Sequence, residues 1–418
     1  MTITRALLRA LATKHADTIT VANTWATGDT VTITINTKAF VITIGTLVTT
    51  TQVATTIKEA VNGSDLTDTS ASCFPSIDDG GAQGIEEFAE LTATSSSAVV
   101  TLTANTAGVP HTITCTENTV GTGTATLANS IVASGPNYYN NVNNWDEGSV
   151  PAAADDAYVD NDDESILYGL SNAGATLTSF NVGASFIGEI GLPKENDNGY
   201  TEYRGDYLAI DASAINVGRG DGPGSGRLKI NSGTVQTAIE VIKTGGAVET
   251  GLPAFIWKGS HASNTVSVKD GSFGAAVYGG ETATIATLNQ SGGSVFVGSG
   301  ITLTTVLKSA GSYVGNHPSG ATITTFTNSG GDATLFGAGV ITTLNVTGGL
   351  VRSNLTGTIT AMNVGGRGPA QVDMRGDPTT KTVSTLTLDP GGEVLIVPGK
   401  VTFTAIAIGA KVSRIRAD

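Results

Sequence analysis

Five segments in the back half of the chain carry nearly the same phrase. TIATLNQSGG starts at Thr284, TLTTVLKSAG at Thr302, TITTFTNSGG at Thr322, VITTLNVTGG at Val340 and the shortened TITAMNVGG at Thr358. The pattern is T-Φ-T-x-Φ-x-x-S/T-G-G, where Φ is apolar. Its first apolar position falls at Ile285, Leu303, Ile323, Ile341, Ile359 and, past an insertion, Val383, giving steps of 18, 20, 18, 18 and 24 residues. Weaker echoes precede it in ATLTSFNVGASF, YLAIDASAINVG, GRLKINSGTVQT and NTVSVKDGSFG. The unit is too short for most helical repeats or propeller blades, and the Leu/Asn signature of a leucine-rich repeat is missing. It fits one coil of a parallel β-helix, with Ile or Leu inward, Thr outward and Gly turning the corners at positive φ. About thirteen coils at roughly 4.8 Å each make a rod on the order of 60 Å long. Each coil buries its apolar row only by stacking on its neighbour, so repetition yields rigid length rather than a pocket.

Composition agrees. Charged residues are 14% of the 418, and 54 are Gly. The chain is heavy in β-branched Thr and Val, which favour strands. The expected fold class is all-β with one or two short helices: a small N-terminal β-sandwich and a C-terminal right-handed parallel β-helix. A net charge of −14 argues against a phosphate-tracking surface, so no nucleic-acid partner is expected. Cys73 and Cys115 lack CxxC spacing and read as two buried thiols. With only His15, His111, His261 and His317, a His-rich metal site is not expected. No apolar run is long enough to span a bilayer.

Four regions follow. Residues 1–15 (MTITRALLRALATKH) make a poor signal peptide and read as a helical arm with Leu7, Leu8 and Leu11 on one face. Arg5 and Arg9 stand out there in an acidic protein. Residues 16–133 read as the sandwich. TVTITINTKAFVITIG alternates Val31, Ile33 and Ile35 with Thr, turns at Asn36 to Lys38, and returns through Phe40, Ile42 and Ile44. TTTQVATTIKEAVNGS then places Val53, Ala54, Ile57, Ala60 and Val61 on one helical stripe, with Thr caps before it and Asn62-Gly63 to stop it. Residues 134–165, rich in Asn, Asp, Gly and Pro, read as a linker, and 166–418 as the β-helix. Lys411, Arg414 and Arg416 lie where the stack needs an end cover.

Candidate chemistry is sparse. Asp160, Asp162 and Glu164 alternate in ADDAYVDNDDES and offer oxygen ligands for Ca²⁺, but the EF-hand spacing and its glycine are missing, so a solvated linker is the expectation. GRGDGPGSG (Gly218 to Gly226) lacks the GK[ST] ending of a phosphate loop and reads as a turn. Arg-Gly-Asp occurs at Arg204 to Asp206 and at Arg375 to Asp377, as chance allows in a Gly-rich chain. From Thr284 to Arg367 the ionisable side chains are Lys308, His317, Asp332, Arg352 and Arg367, too few and too mixed for a carboxylate site. A richer stretch, Glu195 to Asp221, holds Asp197, Glu202, Asp206, Asp211 and Asp221, but a catalytic site there is not expected. Exposed Thr rows read as ordinary outward strand residues rather than an ice-binding array. No catalytic, cofactor-binding or metal residue is assigned.

Two resemblances add to this reading. GDTVTITIN, TTTQVATTIKEAVN and LTATSSSAVVTLTANTAGVPHTIT, within residues 16 to 118, resemble a module of tailed-phage virion proteins and some bacterial surface proteins. GRLKINSGTVQTAIEVIKTG and GLPAFIWKGSHASNTVSVKDGSFGAAVYGGETATIATLNQSGG, with NNWDEGSVP and SILYGL upstream, resemble a group of β-helical virion structural proteins of tailed phages over most of 140 to 350. The resemblance implies a non-enzymatic structural protein on the capsid surface, a decoration protein attached to the major capsid protein or other virion subunits through its N-terminal domain. A homotrimer is expected, since rods gain by burying flat faces together. The alternatives are a tail fibre or adhesin that binds a host glycan, and a β-helical polysaccharide lyase. The first predicts few copies per particle. The second predicts cleavage of acidic glycans by a carboxylate-dependent site.

Overall fold

The computed structural model describes residues 1–5, 9–46, 48–63, 73–75 (backbone only), 85–247, 249–366, 368–409 and 414–417. The fold is nearly all-β. Residues 16–131 form two four-stranded antiparallel sheets around one core. One sheet runs Leu91–Ser96, Val99–Ala104, Ala16–Ala22, Thr124–Ile131; the other runs Cys73–Pro75, Lys38–Ile44, Thr30–Ile35, Ile113–Asn118. The α-helix Thr50–Asn62 packs on them through Val53, Ala54, Ile57, Ala60 and Val61, the stripe expected from spacing. Thr49 closes a capping box with Gln52, and Gly63 ends the helix at φ 60°. Asn36 and Thr37, at φ 48° and 79°, make the two-residue hairpin turn between Thr30–Ile35 and Lys38–Ile44.

The rest is a parallel β-solenoid of about 12 turns. From Leu228 onward each turn contributes two strands, and every strand pairs with its counterpart one turn away. The register follows the sequence steps. Ile285 pairs with Leu303, Ile323 with Ile341, Ile341 with Ile359 and Ile359 with Val383, while Thr305 opposite Thr325 carries the 20-residue step. Beside this column runs a second buried one, Leu288, Val306, Phe326, Leu344, Met362 and Leu386. Gly293, Gly311, Gly331 and Gly349 stack at one corner with φ of 61°, 77°, 69° and 74°. A Cβ on Gly331 would meet the Gly311 carbonyl oxygen at 2.3 Å, and one on Gly349 the Gly331 oxygen at 2.2 Å. Only glycine satisfies both the backbone angle and the close stacking there.

Next to that corner the interior column is polar for three turns: Val268, Gln290, Lys308, Asn328, then Val346. Each polar side chain reaches a corner carbonyl of the next turn: Gln290 donates to Ser312 O (2.7 Å), Lys308 to Gly330 O (2.6 Å) and Asn328 to Gly348 O (2.7 Å). These bonds tie each polar side chain to the backbone of the following corner. Burial lowers the Lys308 ammonium to about 8, with Asp332 opposing. Buried His317 faces the Tyr313 hydroxyl (3.3 Å), and burial lowers it to about 4.

Two expectations are corrected. Thr2–Thr4 is a strand of the solenoid, parallel to Asp156–Val159, and not helix; the short TIT run is held by ladder bonds to a turn already formed. Leu7 and Leu8 lie outside the described residues, and no helix is assigned at residues 9–15. The stretch read as a linker belongs to the solenoid: Asp156–Val159 is one of its strands, and buried Tyr139 and Trp145 join its core. Cys115 is a partly buried free thiol, pushed up to about 12 by burial and then by Glu117; the Cys73 side chain lies outside the described residues.

Gly331→Ala is expected to cost at least about 1–3 kcal/mol in denaturant unfolding. Gly246→Ala, whose Cβ meets nothing within 4 Å, should stay within about 0.5 kcal/mol. His317 predicts acid sensitivity. The unfolded chain takes up a proton near pH 6.5 and the folded one only near pH 4, so stability present above 6.5 falls as pH drops through that window. His317→Phe should remove up to about 3 kcal/mol of that fall, read from unfolding curves at pH 7 and pH 4.

Candidate functional site

The ionisable side chains gather where the antiparallel module meets the solenoid. Asn36, the hairpin-turn residue, is fully buried there. Its amide donates to Glu90 Oε2 (2.9 Å) and Glu87 O (3.2 Å), and its oxygen accepts from Thr112 N (2.9 Å) and the Tyr203 hydroxyl (2.5 Å). Glu90 ends the 3-10 turn Glu86–Glu90, and its Oε1 accepts from Tyr200, from Arg204 (3.1 Å) and from Asn196 (3.3 Å). Arg204 also donates to Glu202 (2.7 Å and 2.9 Å) and to Pro110 O (2.9 Å), and lies over the rings of Tyr203 and Tyr168. Burial would raise the Glu202 carboxyl, but the bonds and charge of Arg204 outweigh it and hold Glu202 below its usual range. The network joins the segment 196–204 to the module through charge-assisted bonds with little water around them.

Two adjoining clefts open beside it. One, of about 310 Å³, is walled mainly by Tyr138, Tyr168, Leu170, Tyr207 and Asn140. The other, of about 340 Å³, is lined by Glu189, Glu195, Asp197, Glu202 and Glu249, with Arg227. They share Leu167, Tyr168 and Leu192, so they form one groove. Arg227 is buried between Glu189 and Glu249 (3.4 Å to the latter) and donates to Gly191 O (3.1 and 3.3 Å). Burial raises the Glu189 carboxyl, and Glu249 and Asp197 push the same way against Arg227. Glu195 and Asp197 make no ion pair among the described residues. Along the same face Lys258 sits 3.8 Å over Tyr207, and Lys194 and Lys229 flank Tyr278 and pair with Asp206. The acid-rich stretch at 195–221 therefore divides: Glu202 and Asp206 are paired with cations, and Glu195 and Asp197 line the groove. Glu189, Arg227 and Glu249 lie outside that stretch, and their part in the groove had no sequence signal.

The alternating acids of 160–164 serve the chain's own arginines. Asp162 is clasped by Arg5 (3.2 Å) and Arg9, and Glu164 by Arg9 (3.4 Å) and the Asn137 amide (2.6 Å). Asp160 accepts from Ser185 and from Asn161 N (3.0 Å). Burial lowers Arg5 to about 10, with Asp162 opposing. The two basic residues that stood out near the N-terminus thus tie the first solenoid strand down, and the acids are neither a solvated linker nor arranged around a cation.

One group of metal-ligand residue types does converge: His15, Asp17 and His111, with ligand atoms within 4.8 Å. The His15 nitrogens are both engaged, while the buried His111 Nδ1 meets no partner among the described residues. Nδ1 of His15 faces the His111 backbone N–H (3.2 Å) and its Nε2 faces the Asn129 amide (2.7 Å), so neither nitrogen offers a free lone pair. The rings stack at 4.1 Å, and His111 Nε2 meets Asp17 (3.0 Å). Burial would raise Asp17, but His111, His15 and Asn129 outweigh it and hold the carboxyl far below its usual range. The cluster is a hydrogen-bonded brace beside Pro110 and the junction.

Gly218 to Gly226 is the turn between Leu208–Arg219 and Leu228–Asn231, where Gly222 O accepts from Lys243. The Arg-Gly-Asp triplets are engaged internally: Arg204 in the junction, Arg375 with Asp373 (3.0 Å), and Asp377 with Thr379 (2.7 Å). Compared with known proteins, the chain matches no family model, no curated sequence and no solved structure.

Asp162→Ala leaves Arg5 buried without its counter-charge and should cost about 3–5 kcal/mol in chemical unfolding. Asp163→Ala, whose side chain is 79% exposed, is the control and should change stability by no more than about 0.5 kcal/mol.

Proposed function

We propose that the protein is a non-enzymatic structural component of a tailed-phage virion, most simply a capsid decoration protein. Its antiparallel module attaches to the major capsid protein or another virion subunit, and the solenoid projects from it. The observation that carries this reading is the junction. Asn36, Glu90 and Arg204 fix the module to the rod through buried charge-assisted bonds, as a part whose task is holding a shape requires. The resemblances noted above supply the phage setting. A homotrimer packed along the outward Thr rows is the proposed assembly state.

Purified particles analysed by quantitative mass spectrometry and imaging test the proposal. A decoration protein is expected on the shell in a fixed ratio to the major capsid protein. A few copies at the tail tip would instead assign it as a fibre or adhesin, and absence from particles removes the virion reading.

A further inference from the structure

We propose that the two-lobed groove beside the junction binds a neutral oligosaccharide, with a pyranose ring against the tyrosine-walled lobe and its hydroxyls turned toward the carboxylates of the other. Tyr138 and Tyr168 are partly exposed and pack on each other at 5.5 Å with tilted rings, and Arg204 lies over Tyr168, so the partly exposed Tyr138 ring is the apolar surface left to a flat-faced ligand. Asn140, an exposed amide, lines the same lobe. Next to it, Glu195 and Asp197 present acceptors that no cation of the described chain takes up. Sugar hydroxyls are donors, and a surface that combines ring faces with unengaged acceptors suits them.

The same geometry discriminates against other ligands. A divalent ion needs several oxygens within one coordination sphere, and among the described residues only the His15 group gathers ligand atoms so closely. An acidic glycan meets five carboxylates against one arginine, and both nearby guanidiniums are spent: Arg204 on Glu202, Glu90 and Pro110, Arg227 on Glu189, Glu249 and Gly191. A basic peptide satisfies the charge of the acidic lobe, and polylysine is the arm of the test that reads it. The inference concerns a ligand and not a location, so it stands or falls separately from the particle experiment.

The test is binding of the full chain to immobilised neutral hexasaccharides of glucose, galactose, mannose and N-acetylglucosamine, with polygalacturonate and polylysine alongside. Titration calorimetry then follows on the best neutral ligand. Gly205 lines the tyrosine lobe, and a Cβ there meets nothing within 4 Å, so Gly205→Trp puts a bulky side chain on the wall of the lobe without a clash at Cβ. It is expected to abolish binding with an unchanged thermal midpoint, and Tyr138→Ala to weaken it roughly tenfold with the circular dichroism of the parent. The proposal is overturned if no neutral saccharide binds, if polylysine is the only ligand captured, or if both variants bind like the parent protein.

Discussion

Every turn of the solenoid depends on another turn being there. The strand Val401–Ile408, paired on one side only among the described residues, shows what stacking supplies. Its Ile406 and Ile408 are 48% and 63% exposed, whereas their register partners one turn earlier, Leu386 and Leu388, are 0% and 1% exposed. The residues are the same in kind, and only the covering neighbour differs. The other end is closed by different means. Thr2–Thr4 lies on Asp156–Val159, and its edge is taken by Asp146, whose backbone N–H donates to Thr4 O while its carboxylate accepts from Thr4 N, both at 2.9 Å. A side chain thus occupies the edge that another strand would otherwise pair with.

Stacking also explains which parts were readable from sequence. A parallel ladder forces equivalent residues onto one line, so the spacing of Ile285, Leu303, Ile323, Ile341, Ile359 and Val383 is itself the register. The helix was legible for the same reason, since five apolar residues on one stripe have one efficient burial. The TIT of Thr2–Thr4 was not, because three residues carry no usable period and the strand exists only through a partner more than 150 positions away. The Arg5–Asp162 clasp shares that separation. Of the junction, the hairpin turn at Asn36 was legible. That its amide and oxygen would be buried against Glu90 and Tyr203 was not, because nothing local marks a turn residue as an interface residue.

Buried charge in this fold sets position more than stability. Removing two ions from water costs more than their attraction returns unless the geometry is good and the remaining donors are satisfied. Arg204 meets that condition with three acceptor groups, Glu202, Glu90 and Pro110 O, and Lys308 only in part, through Gly330 O. The junction therefore specifies one orientation of module on rod. The interior column of Gln290, Lys308 and Asn328 pins three consecutive corners at the expense of apolar packing, since a slipped register would leave an ammonium without its carbonyl.

The distribution of ionisable groups follows the departures from regularity. Between Thr284 and Gly366, where steps are 18 to 20 residues, most side chains inside are apolar and Gln290, Lys308 and Asn328 are bonded to corners, while Thr is frequent outside. The segment 192–207 lies between the strands Ser171–Gly183 and Leu208–Arg219, and the segment 242–254 lies between Ala238–Val241 and Phe255–Lys258. Those segments bring Glu195, Asp197, Glu202 and Glu249 to the groove. A uniform rod presents the same surface at every turn and cannot distinguish one ligand from another. An inserted segment folded back on the rod creates the concavity, and its composition is released from the inward-outward alternation that stacking imposes. Binding chemistry in this chain is therefore expected where the repeat is broken, and the junction groove is the place where two such breaks and the module converge.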